Sequence, residues 1–168
     1  THEVVKSDLD WRTSGGPLVF NSIYTSEHYD ARLEQPGWSA PGFDDSAWGG
    51  VMYRGAPSQM VTAQQTVPIR NVTQYRPRSV RKLDERSYLY DFGQNMAGVT
   101  KLRLRGEAGT QLRLIHAERL REDGHADLSN IDVYFRPTDK DDLFQTDVVT
   151  LSGRDDEFMP RFNYKGFR

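Results

Sequence analysis

Carboxylates are the commonest side chains here that could move protons, and several occur as sequence neighbours, among them Asp44-Asp45, Asp141-Asp142 and Asp155-Asp156-Glu157. Adjacent residues of an extended chain point to opposite faces. Chemistry that pairs a carboxylic acid with a carboxylate base needs two such groups facing each other across a cleft. Neighbours in sequence do not provide that, so solvated surface charge is the expected role. The histidines, His2, His28, His116 and His125, never fall at a metal-ligand spacing such as H-x-x-x-H. The acidic run from Asp123 to Asp132 lacks the D-x-D-x-D-G order of a calcium loop. A plain solvated loop is its expected state, with an irregular calcium site as the alternative that no motif supports. Cysteine is absent, which removes disulfides, thiolate zinc sites and thiol nucleophiles together. No nucleophile elbow, phosphate loop or dinucleotide fingerprint occurs, and Asn71-Val72-Thr73 is a glycosylation pattern too common by chance to count. The residues therefore predict no catalytic group, no metal site and no cofactor.

Aromatic residues are more suggestive, with eight Tyr, eight Phe and three Trp. An aromatic face can pack on the C–H face of a pyranose while planar polar groups bind its hydroxyls. Trp38 lies in a turn-rich stretch beside Asp30, Arg32 and Glu34, a mixture suited to that task. Against this stands the plainer expectation that Trp11, Trp38 and Trp48 anchor the core of a small sandwich.

The elements that must carry these side chains read as strands. From Lys101 to Arg105 charged and apolar residues alternate, and Thr110 to Ala117 begins the same way. The turn Gly106 to Gly109 between them predicts a β-hairpin. Further strands are expected at 17–24, 28–33, 87–92, 143–151 and 157–162, with one brief helical turn at 44–48. No long stretch keeps a 3.6-residue period. Pro36-Gly37, Pro41-Gly42 and Gly49-Gly50 are turn signals. Residues 50–60 read as a joint, and 121–142 as a long polar loop. The fold class is all-β, of the sandwich or jelly-roll type.

Composition sets the outer bounds. The 168 residues carry a net charge of −2, with 22 basic and 24 acidic side chains, so no basic field awaits a nucleic-acid backbone. Mean hydropathy is −0.73 and no apolar run reaches the ~18 residues that span a bilayer. Neither nucleic acid nor membrane is an expected partner. The first residues show no basic-then-apolar leader, and the last ones, FMPRFNYKGFR, stop within an aromatic, alternating stretch. Both ends read as cuts in a longer polypeptide, which leaves the cellular location unknown.

One resemblance is carried by longer strings. SIYTSEHYDARLEQPGWSAPGFDDSAW (22–48), YDFGQNMAG (90–98), HAERL (116–120) and PRFNYKGFR (160–168) follow one another in an order and spacing that resemble bacterial α-L-rhamnosidases. Departures are Ser26, Val99 and Lys165, where that family usually or often has Gly, Trp and His. The resemblance implies the C-terminal part of a jelly-roll sugar-binding-like module over 1–52, then a small antiparallel β-sandwich over 53–168 truncated at its last strand. It implies that the acid and base of the whole enzyme, which would release terminal α-L-rhamnose, lie on an (α/α)6 barrel outside this chain. On that basis the chain alone is expected to be inactive and to pack on the barrel, with Tyr164 and Phe167 as interdomain-contact candidates. An independent module that binds rhamnose-containing glycans through Asp30, Arg32 and Trp38 is the alternative.

Overall fold

The computed structural model describes residues 3–23, 25–137, 140 and 142–168. His2, Tyr24 and Asp141, named above, lie outside them. The described residues are nearly all β and irregular, with two short 3-10 turns at Ala31–Leu33 and Asp132–Tyr134. No helix is long and apolar enough to cross a membrane. In chain order the first strands are β1 (Arg12–Thr13), β2 (Leu18–Ser22), β3 (Ser26–Asp30), β4 (Gly49–Gly50), β5 (Ser79–Lys82), β6 (Tyr88–Asp91) and β7 (Met96–Gly98). They are followed by β8 (Leu102–Arg105), β9 (Gln111–Ile115), β10 (Arg119–Leu120), β11 (Ala126–Asp127), β12 (Thr146–Thr150), β13 (Asp155–Phe158) and β14 (Lys165–Phe167).

Contacts divide the chain into two units: Thr1–Gly16 with Gln35–Gln74, and Pro17–Glu34 with Tyr75–Arg168. In the first, β1 pairs antiparallel with β4, and little else is regular. The expected helical turn at 44–48 is a simple turn, closed by Trp48 N–H donating to Asp45 O (2.9 Å). Asp44 supports it by accepting from Ser46 N–H (3.0 Å), the local bond that favours turns over helix. Trp48 is half-buried, sits on Phe43 and donates its indole N–H to Gln35 Oε1 (2.8 Å). Trp11 and Trp38 are exposed, so neither anchors a core. Apolar type alone did not bury them.

The second unit holds the core. Its main sheet has the order β2-β3-β12-β9; β12 has a strand on each side, and all five of its residues are buried. The expectation of antiparallel neighbours fails at one pair: β3 and β12 run parallel, Val148 beside His28 and Val149 beside Tyr29. Parallel strands need a long crossover rather than a hairpin, and here Glu27 and Asp147 are 120 residues apart.

The alternating runs at 102–105 and 111–115 are strands, but they do not form the predicted hairpin. β8 pairs with β13, and β9 with β12. Leu102 and Leu104 from one sheet, and Leu112, Leu114 and Tyr29 from the other, pack on Val149, Leu151 and Phe158. The turn at 106–109 thus arches from one layer of a sandwich to the other, because both strands have an apolar face to bury on the same core. Glycine serves that arch directly: a Cβ at Gly106 would sit 2.8 Å from Leu151 Cδ1, and Gly109 has φ +86.

Candidate functional site: a buried charged cluster

Beneath the exposed chain of the second unit lies a set of buried charges that spacing in the sequence does not announce. β12 carries Asp147, wholly buried, whose Oδ1 accepts from Glu27 N–H on β3 (2.8 Å) and from Lys165 Nζ on β14 (2.6 Å). Lys165, 4% exposed, also donates to Asn163 Oδ1 (2.7 Å). A buried cation next to a buried anion avoids the several kcal/mol that each would cost alone. Lys165 supplies the positive charge of the cluster.

Glu27 is buried as well, and its carboxylate caps two main-chain donors, Arg161 N–H (2.9 Å) and Phe162 N–H (2.6 Å). His116, next to the cluster, is held by two opposite bonds. Its Nδ1 faces Gln145 O at 3.3 Å and its Nε2 faces the Thr100 hydroxyl at 3.2 Å. A carbonyl only accepts, so Nδ1 carries a proton. Burial pushes its pKa below the ordinary imidazole value, an effect the Asp147 charge partly opposes. Gln145 adopts φ 53, the left-handed region that side-chain-bearing residues seldom occupy, and so aims its carbonyl at both the backbone and the ring of His116. Thr25 donates to Asp142 in a further buried bond.

This arrangement binds structure together rather than reacting. Each buried carboxylate already accepts a hydrogen bond or faces a cation, and Glu27 and Asp147 are joined through a main-chain amide, not across a cleft. A groove of about 420 Å³ runs over β8 and β13, lined by Arg103, Leu104, Arg105, Asp155, Asp156 and Glu157. Its charges pair across the strands, Lys101 with Glu157 (2.8 Å) and Arg105 with Asp155 (3.6 Å), and are solvent-exposed. No group of three or more metal-ligating side chains gathers among the described residues.

The residues singled out in the sequence fall in different places. Asp30 and Arg32 meet in the second unit as a two-bond ion pair, Nε to Oδ1 at 2.9 Å and Nη2 to Oδ2 at 2.7 Å. That bond holds the Asp30 carboxyl below the usual carboxylate range. Asp30 also caps the turn that starts at Ala31 by accepting from Arg32 N–H (3.0 Å). Trp38 belongs to the first unit, 57% exposed. Phe167 is buried against Phe92 and His116, with ring centroids 5.6 and 5.2 Å away. Tyr164 stands out at 59% exposure, as does Phe162.

The buried charges escaped sequence reading because they act across 120 residues, while the signal near them is short. Asn163, Lys165 and Phe167 repeat at every second residue, a period that marks one inward face. A lysine on such a face is the clue that an anion waits opposite.

Known proteins place this chain. Residues 1–73 match the α-L-rhamnosidase N-terminal domain, and residues 81–168 match the bacterial α-L-rhamnosidase concanavalin-like domain. An α-L-rhamnosidase of Streptomyces avermitilis is 39% identical over all of this chain, which spans 16% of that protein. One from Formosa agariphila is 33% identical over 96% of the chain and 17% of its own length. Among solved structures, the α-L-rhamnosidase of Dictyoglumus thermophilum superposes with a TM-score of 0.83 at 36% identity, covering 96% of this chain and 18% of that one. The S. avermitilis enzyme complexed with L-rhamnose gives 0.83 at 38% identity, covering 98% of this chain and 15% of its own. The chain therefore spans about a sixth of the length of its relatives, and it belongs to the bacterial α-L-rhamnosidase family, as a counterpart of those enzymes' N-terminal β-domains.

Proposed function

We propose that this chain is a non-catalytic β-region of an α-L-rhamnosidase, and that its work is to pack on and support the catalytic barrel of the same polypeptide. The whole enzyme would hydrolyse terminal α-L-rhamnose from glycosides, a water replacing the leaving group at the anomeric carbon. The observation that carries this reading is the state of the buried acids. Glu27 caps amides and Asp147 holds Lys165, so neither is free to give or take a substrate proton. Tyr164, in the segment that connects β13 to β14, is the aromatic that stays available for an interdomain contact, whereas Phe167 is occupied inside the unit. The test is hydrolysis of a chromogenic α-L-rhamnoside. The isolated folded chain should release no chromophore above a buffer blank, and turnover by the chain alone would overturn the reading.

A second reading, an independent module that binds rhamnose-containing glycans, draws support from the exposure of Trp38 and of the Arg32 side chain. It predicts saturable binding of L-rhamnose, followed by NMR, that Trp38→Ala abolishes. A flat titration to tens of millimolar would remove it.

A further inference from the structure

The buried pair Asp147–Lys165 is not closed by the side chains around it. Three hydrogen-bonding valences are left over, all on groups bonded to one ammonium. Lys165 Nζ has three N–H donors, and two are taken, by Asp147 Oδ1 and Asn163 Oδ1. The other carboxylate oxygen, Asp147 Oδ2, is buried with no partner, and so is the other amide atom, Asn163 Nδ2. Turning the Asn163 amide over would place its N–H₂ against the ammonium, donor against donor, so the present orientation stands.

The three open valences have a definite chemistry. The oxygen needs a donor. The ammonium and the amide each need an acceptor. Two acceptor lone pairs and a donor on one small group describe a water molecule. Buried waters typically make about three hydrogen bonds to groups that otherwise lack them. We propose that one water is bound here as a structural part of the fold, accepting from Lys165 Nζ and Asn163 Nδ2 and donating to Asp147 Oδ2. The three side chains that hold it are all more than nine-tenths buried. The water completes the junction of β12 with β14.

The test is a crystal structure of this chain at a resolution that shows ordered water. The expected result is one spherical peak about 2.7–3.1 Å from each of the three atoms. No peak there, or a rotated Asn163 that bonds Asp147 Oδ2 directly, overturns the proposal. A peak refining as a heavier ion does the same. A second measurement does not depend on crystals. Water-relaxation dispersion on the wild-type chain should register a long-lived internal water that Asn163→Leu loses while the strand pairing, followed by amide NMR, persists. An unchanged count of long-lived waters in that variant is the contrary outcome. The Asp147→Leu/Lys165→Met double variant should lose the same water, and retention there would also contradict the assignment.

Discussion

The two units treat similar side chains in opposite ways. In the unit of 17–34 and 75–168, Val148 and Val149 vanish into the centre of a sheet and even Glu27, Asp147 and Lys165 are buried. In the unit of 1–16 and 35–74 no described residue is buried, and Val61, Val67, Ile69 and Val72 stand almost fully in solvent. Hydrophobicity does not explain this, since valines occur in both. Pairing is part of the reason. β12 has a strand on each side, whereas Pro68 interrupts the stretch around Val67 and Ile69 and removes a ladder donor. Burial needs covered faces as well as paired edges: β3 also has a strand on each side, yet three of its five residues are only half-buried.

The sharpest way to break the contrast is to unpair the buried charge. Lys165→Met should lower the stability of the second unit by about 3–5 kcal/mol, because it strands the Asp147 carboxylate without its cation. Denaturant melts measure it, and Asp147→Leu added to that variant should restore much of the loss. Next comes Glu27→Ala, which leaves the Arg161 and Phe162 amides without an acceptor and should cost about 1.5–3 kcal/mol. Its amides at 161 and 162 should exchange hydrogen faster than those of β12.

The third prediction concerns acid. Burial lowers the pKa of folded His116, so just below the ordinary value of 6.5 the unfolded chain binds more proton than the folded chain does. Its contribution is therefore present above that pH and is lost as pH falls from there towards the folded value. The loss should amount to at most about 1.4 kcal/mol per pH unit in that window, and His116→Gln should flatten it. The smallest effects belong to the first unit. Trp48→Phe, which deletes the bond to Gln35, should cost about 0.5–1.5 kcal/mol, and only there. A change at exposed Val67 to Thr should stay within about 0.5 kcal/mol. A large loss from Val67→Thr would mean that the first unit has a core after all.

These expectations show what sequence could and could not reveal. The strands at 102–105 and 111–115 were legible, because alternation is a local signal. Their partners were not. The turn at 106–109 reads equally well as a hairpin or as an arch between layers, and only the shared core decides between them. The family strings pointed to the rhamnosidase domains that the comparisons support, while composition and period gave only the all-β class. The buried cluster was hidden for a physical reason: Asp147 looks like any surface aspartate until β3 and β14 close around it.

The parallel pairing of β3 with β12 has a consequence for time as well as shape. Joining strands 120 residues apart carries a loop-closure cost of about 4 kcal/mol, which the chain meets only after more local pairs have formed. Docking of the β2–β3 hairpin on β12 is therefore a late step in folding. Substitutions that weaken only the β3–β12 contact should leave the folding rate almost untouched and show themselves as faster unfolding.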